Sequence, residues 1–112
     1  MNLTTDRSQD IAIIRVNETR LTYPVLAEFT STISAIIHSG DRVLLDLSAV
    51  TYVDSATIGC LMDLFHQAEA AGGALKLAGI QKRVETMLTM TGAESVLDIH
   101  ADEPSALKSF GI

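Results

Sequence analysis

Apolar and polar positions along the chain change repeatedly between a spacing typical of strands and one typical of helices. The β-branched run at 11–16 (IAIIRV) predicts a strand, and the segment at 2–7 (NLTTDR) predicts its hairpin partner. Residues 41–47 (DRVLLDL) contain three consecutive aliphatic residues, which indicates a strand buried on both faces. Further strands are predicted at 74–80 and 95–99. Helices on both sides of the sheet are therefore expected as cover.

Four segments carry apolar residues at helical spacing. They are 24–39, which has Pro24 in its first turn, 55–73, which ends in two glycines, 81–92 and 103–110. Strands and helices alternate from residue 40 onward. This order predicts an α/β fold with a mixed, mostly parallel sheet flanked by helices.

Length and composition limit the possible functions. With 112 residues, of which 47% are hydrophobic, we expect one domain over residues 1–112. The net charge of −6 and the lack of a basic run argue against nucleic acid or an anionic membrane as partner, and favour a basic protein partner. The N-terminal segment has no features of a signal peptide, and no apolar run is long enough to span a membrane. We expect a cytoplasmic protein.

The segment VDSATIG at 53–59 lies where a buried strand leads through a loop into a helix, a common place for functional groups in α/β sheets. Either Asp54 or Ser55 can cap the helix by accepting a hydrogen bond from its first turn, and for Ser55 the spacing alone favours this role. The alternative is that Ser55 accepts a phosphoryl group. A phosphate adds about −1.5 to −2 charges, which the helix dipole tolerates and which repels an acidic partner.

Three segments resemble the STAS domain family of anti-sigma factor antagonists and related regulatory modules, and the resemblance covers nearly the whole chain. They are LDLSAV at 45–50, YVDSATIG at 52–59, and the segment at 72–99 that starts with two glycines. The resemblance implies a protein that binds an ATP-dependent serine kinase, which also sequesters a sigma factor. It further implies that the kinase phosphorylates Ser55, which releases the complex, and that a phosphatase resets the domain.

Two positions in the loop depart from the family's common Asp-Ser-Ser-Gly-Leu-Gly. Ala56 stands where a second Ser or Thr is usual, and Thr57 stands where Gly is usual. A β-branched residue does not readily adopt positive φ or allow the close approach that glycine allows. We therefore expect a partner unlike the usual sigma-regulating kinase. The resemblance places the partner-binding segment at Asp54, Ser55, Ala56, Thr57, Ile58 and Gly59.

Other residues favour no enzymatic, metal or cofactor site. Asp46 lacks the acidic pair and the lysine of a receiver-type phosphoacceptor, so a structural or docking role is favoured. Ser55 lacks the glycine-flanked elbow of a hydrolase nucleophile. The three histidines share no ligand spacing, and Cys60, the only cysteine, is expected to be a small packing residue. We expect no catalytic residue.

Two pairs of residues in the third predicted helix each allow a structural and a functional interpretation. Met87 and Met90 are expected in the core, although a methionine-lined pocket for a small ligand is the alternative. Lys82 and Arg83 oppose the helix dipole, so they are either solvated, which we favour, or meet an acidic partner. A last alternative for the whole chain is a constitutive, unphosphorylated interaction subunit of a lipid-transport or signalling assembly, in which Ser55 is only a cap.

Overall fold

The computed structural model describes residues 1–112. Its strands are β1 (Leu3–Ser8), β2 (Ile11–Val16), β3 (Arg20–Leu21), β4 (Arg42–Asp46), β5 (Tyr52–Val53), β6 (Leu75–Ala78) and β7 (Ile99–His100). Its helices are α1 (Tyr23–His38), α2 (Ser55–Ala70), α3 (Lys82–Thr91) and α4 (Glu103–Ser109). None of the four helices has the length and apolar character needed to cross a bilayer.

The main sheet has five strands in the order β1-β2-β4-β6-β7. β1 pairs with β2 in an antiparallel hairpin, and all other neighbours in this sheet are parallel. Because α1, α2 and α3 connect successive parallel strands, and such connections are right-handed, all three helices lie on one face. α4 follows the last strand and lies on the other face. The predicted mixed, mostly parallel sheet flanked by helices is confirmed.

The two faces of the sheet bury different residues of the same strands. In β4, Val43 and Leu45 belong to the larger core under α1, α2 and α3, whereas Leu44 belongs to a smaller cluster under α4. This explains the three consecutive aliphatic residues, because side chains alternate across a strand and both faces are covered. On the smaller side, Arg15 pairs with Glu103 at 2.8 Å and so helps to fix α4 to the sheet.

The predicted strand at 95–99 is wrong over most of its length. Residues Ala93–Ser95 form a 3₁₀ helix, and the strand contains only Ile99–His100. Gly92 has a φ of 80°, which ends α3 and turns the chain. Ala93 and Leu97 are then both buried against the larger core, so the chain between them follows a tight turn instead of extending.

A second, two-stranded sheet lies outside the predictions. β3 and β5 pair in parallel, with Arg20 opposite Tyr52 and Leu21 opposite Val53. Each strand has only two residues, which is too short to produce a recognisable period in the sequence. α1 starts two residues after β3, and α2 starts two residues after β5. The short sheet therefore places the first turns of α1 and α2 side by side.

Candidate functional site

Asp54 is the N-cap of α2. Its backbone is extended, and its Oδ1 accepts a hydrogen bond of 2.9 Å from the backbone N–H of Thr57. The cap satisfies one of the backbone N–H groups that have no partner inside the helix. Of the two capping candidates that the sequence offered, the structure thus selects Asp54. The expectation that Ser55 caps the helix is wrong, because Ser55 is already the first helical residue.

The same carboxylate also holds the first residue of α1. Asp54 Oδ2 accepts a hydrogen bond of 2.9 Å from the backbone N–H of Tyr23. Thr22, the residue at the N-cap position of α1, makes no capping hydrogen bond with its own side chain. Asp54 therefore serves the first turns of both helices. The side-by-side arrangement of β3 and β5 makes this reach possible.

Thr57 is completely buried, with an exposed fraction of 0%. Its hydroxyl oxygen lies 2.7 Å from the carbonyl oxygen of Leu21 and 2.6 Å from Asp54 Oδ1, so its single proton is shared between two acceptors. The hydroxyl hydrogen bond of Thr57 holds the pKa of Asp54 below its ordinary value, and the backbone N–H groups of Tyr23 and Thr57 act in the same direction. Asp54 is thus kept ionised.

This geometry changes the role expected for Thr57. The residue is helical and has no positive φ, so the loop does not require glycine here. Its β-branched side chain packs inward, and its hydroxyl ties α2 to the end of β3. Thr57 is therefore a structural residue of the loop and presents no contact surface to a partner.

The exposed part of the predicted partner-binding segment is smaller than the segment itself. Ser55, Ala56 and Gly59 are exposed, whereas Thr57 and Ile58 are buried and Asp54 is half-buried. The Ser55 side chain makes no hydrogen bond within the chain, since Asp54 provides the cap. The structure therefore presents a free hydroxyl on the first turn of α2. Only Ser55, Ala56, Gly59 and part of Asp54 are available for direct contact.

A groove of about 680 Å³ runs between α1 and α2 beside Ser55. It is open to solvent, and its lining is mostly small or apolar: Tyr23, Pro24, Leu26, Ala27, Thr30, Ser31, Ser34, Ala56 and Cys60. Cys60 is a free, partly exposed thiol. No local sequence pattern indicates this groove, because its two walls come from separate helices.

The remaining candidates occupy other places. Asp46 Oδ1 accepts a hydrogen bond from the backbone N–H of Ser48 at 2.9 Å, which fixes the turn after β4. The expectation that Met90 lies in the core is wrong, because its exposed fraction is 81%. Val84 and Leu88 form the buried side of α3, and Met90 points away from them. No methionine lines the groove, so the methionine-lined ligand pocket has no counterpart there.

Comparison with known proteins decides the family. The sequence model described as "STAS domain" matches residues 2–106. The chain belongs to the STAS domain family. A relative from Bacillus subtilis (strain 168), the anti-sigma-B factor antagonist, is 29% identical over 105 residues, which cover 90% of this chain and 94% of that protein.

Solved STAS structures share the fold over almost the full chain. An anti-sigma-factor antagonist (STAS) domain protein from Planctomyces limnophilus superposes with a TM-score of 0.87 at 18% identity, covering 98% of each chain. The anti-sigma factor antagonist SpoIIAA, in its unphosphorylated form, gives a TM-score of 0.79 at 17% identity, covering 99% of this chain and 98% of that one. SpoIIAA is also similar in its phosphorylated form, a structure described as a Bacillus cell fate determinant, with a TM-score of 0.72 at 16% identity over 97% of this chain and 99% of that one.

Proposed function

We propose that this STAS domain is an anti-sigma factor antagonist-like regulatory module. It binds an ATP-dependent serine kinase that also acts as an anti-sigma factor in the cytoplasm. Phosphorylation of Ser55 releases the complex, and a phosphatase restores binding. The module has no catalytic residue and uses no cofactor in this proposal.

The main support for the proposal is that Asp54 and Ser55 have separate roles at the start of α2. Asp54 caps α2 and anchors Tyr23, so the start of the helix is stable without any contribution from Ser55. Ser55 is exposed at the first helical position, and its hydroxyl is free. A kinase can therefore reach the hydroxyl, and its modification breaks no contact within the fold.

The electrostatic surroundings of Ser55 favour a switch over a structural disruption. A phosphate there adds about −1.5 to −2 charges at the start of a helix, where the dipole is favourable to negative charge. The ionised carboxylate of Asp54 next to it adds to the negative potential that an approaching partner meets. The fold tolerates the phosphate, whereas an acidic contact on the partner is repelled. The phosphorylation state of Ser55 then controls docking without changing the fold.

The docking surface in this proposal consists of Ser55, Ala56 and Gly59 with the adjoining groove between α1 and α2. Ala56 is both exposed and part of the groove wall. Gly59 faces solvent one helical turn after Ser55, and apart from its chain neighbours and the backbone of its own helix, no atom lies within 4 Å of the position that a Cβ would occupy. A partner's main chain can therefore approach α2 closely at this point.

The proposal is tested with the anti-sigma-type serine kinases of the source organism, each purified and incubated with the STAS domain, ATP and magnesium. Peptide mass spectrometry maps the phosphate, and calorimetry measures binding. We expect phosphate on Ser55 and none on the Ser55→Ala variant. We expect Ser55→Asp to bind its kinase at least about tenfold more weakly than the unmodified domain.

A matched control places the same charge elsewhere. Ser105 is an exposed serine in the first turn of α4, on the opposite face of the sheet. Ser105→Asp is expected to bind the kinase as tightly as the unmodified domain. Phosphate on a different residue, or full affinity of Ser55→Asp, contradicts the proposed switch. A stable complex with no phosphate transfer favours the constitutive interaction subunit.

A further inference from the structure

The aromatic ring of Tyr52 is contacted by two arginines from different parts of the chain. The guanidinium carbon of Arg20, in β3, lies 4.5 Å from the ring centroid, and that of Arg83, in the first turn of α3, lies 5.6 Å from it. Val53, the next residue in β5, is buried in the core, so Tyr52 points away from the core. We call Arg20, Tyr52 and Arg83 the arginine patch.

The two arginines differ from most other cations of the chain in having no carboxylate partner. Five of the eight Lys and Arg side chains lie within 4.0 Å of a carboxylate oxygen; the pairs are Arg7–Asp41, Arg15–Glu103, Arg42–Asp10, Lys76–Asp98 and Lys82–Glu85. Only Arg20, Arg83 and Lys108 lack such a pair. Two of these three unpaired cations thus meet at one ring.

This arrangement is costly for the isolated domain. Two guanidinium groups on the same ring repel each other, and Arg83 lies in the first turn of α3, where the helix dipole disfavours a cation. The ring faces compensate in part through cation–π attraction. The chain has 14 acidic residues, yet none of them is placed to pair with this patch. The planar N–H donors of both arginines therefore remain free for groups from outside the chain.

The arginine patch lies close to the docking surface. Tyr52 is two residues before Asp54 and three before Ser55, and Arg20 lies opposite it in the β3–β5 ladder. Tyr23, which lines the groove, follows Arg20 by three residues. Two of the three patch residues thus lie on the short sheet that leads directly into α1 and α2, whose first turns contribute Tyr23 and Ala56 to the groove.

We propose that Arg20 and Arg83, held against Tyr52, bind carboxylates of an acidic segment on the partner protein. This inference rests on the proposed function only for the identity of that partner as the one that docks beside Ser55. It also gives a physical reason for release of the partner, because a phosphate on Ser55 repels the same acidic segment. The net charge of −6 favours a basic partner, whereas this local patch selects an acidic contact at the docking edge.

The experiment uses an oligoglutamate peptide of about eight residues, titrated at low salt into the ¹⁵N-labelled full chain and followed by NMR. We expect the side-chain Nε–H signals of Arg20 and Arg83 and the amide of Tyr52 to shift, with the Nε–H signal of the Asp41-paired Arg7 unchanged. The double variant R20Q/R83Q is expected to bind at least about fivefold more weakly. The control variant R7Q/K108Q also removes two cations, from β1 and α4, and is expected to change binding less than about twofold.

Two results would overturn the inference. Equal weakening by R20Q/R83Q and R7Q/K108Q means that the peptide responds to net charge alone. Tighter binding of a thymidine oligonucleotide of equal charge at the same signals means that the patch selects phosphates and bases over protein carboxylates. Neither result depends on a kinase. Failure of Ser55 phosphorylation therefore contradicts the proposed function while leaving this test decisive for the arginine patch.

Discussion

The carboxylate of Asp54 accepts a hydrogen bond of 2.9 Å from the backbone N–H of Tyr23, 31 residues earlier in the chain. With the hydrogen bond from Thr57 N–H to its other oxygen, one side chain joins the starts of two helices. The hydroxyl of Ser55 is left free by this arrangement. Asp54 therefore caps the helices, and the adjacent candidate phosphorylation site, Ser55, has no such structural role.

Asp54→Ala is expected to lower the free energy of unfolding by about 2 kcal/mol. Loss of one N-cap costs about 0.5–2 kcal/mol, and Asp54 serves two helices, which places the loss at the upper end. Ser55→Ala is expected to change the value by less than about 0.5 kcal/mol, because its side chain makes no contact that the fold uses. Urea unfolding followed by circular dichroism measures both. A larger loss for Ser55→Ala than for Asp54→Ala contradicts the assignment of the cap.

The stabilisation by Asp54 is expected to disappear in acid. Folding holds the pKa of Asp54 below its ordinary value, so the ionised group stabilises the fold above its unfolded pKa of about 3.9. This contribution is lost as the pH falls through the lower, folded pKa. The difference in unfolding free energy between the unmodified domain and Asp54→Asn is therefore expected to shrink below about pH 4. Ser55→Ala, which removes no ionisable group, serves as the control with a constant difference.

Thr57→Val is expected to destabilise the domain by about 1–3 kcal/mol, because the buried Leu21 carbonyl and Asp54 lose a donor while the side-chain shape is kept. The pKa of Asp54 is expected to rise toward its ordinary value. Thr57→Ser retains the hydroxyl and serves as the matched control, in which the pKa stays low. NMR titration of the Asp54 carboxyl carbon measures the effect, and an unchanged pKa in Thr57→Val contradicts it.

Gly59→Ala is expected to raise the free energy of unfolding by about 0.5–1 kcal/mol, since glycine inside a helix is unfavourable and the added Cβ has no atom from outside its own helix backbone and chain neighbours within 4 Å. Binding of the kinase is expected to weaken, because the methyl group occupies the space through which the partner approaches α2. Gly59→Arg extends the series, with greater loss of binding and an intact fold. Unchanged kinase binding by both variants removes Gly59 from the docking surface.

The sequence predicted the element order well where the pattern is local. The apolar period of α1 and the consecutive aliphatic residues of β4 depend on neighbouring positions, and their bounds differ from the observed ones by one residue at each end. The strand predicted at 95–99 is wrong because burial of both Ala93 and Leu97 requires a turn, which the residue propensities of this segment do not indicate. The expectation that Met90 lies in the core is wrong because Val84 and Leu88 already form the buried side of α3.

By itself, the sequence determined the alternation of strands and helices and placed Ser55 at a strand-to-helix turn, because periodicity, prolines and glycines act over a few residues. Only the tertiary structure decided that Asp54 caps two helices, that Thr57 is buried and that Arg20 and Arg83 meet at Tyr52. Each of these depends on contacts between residues far apart in the chain, such as the 36 residues that separate Leu21 from Thr57. The pairing of β3 with β5 brings these residues together, and strands of two residues leave no periodic signal.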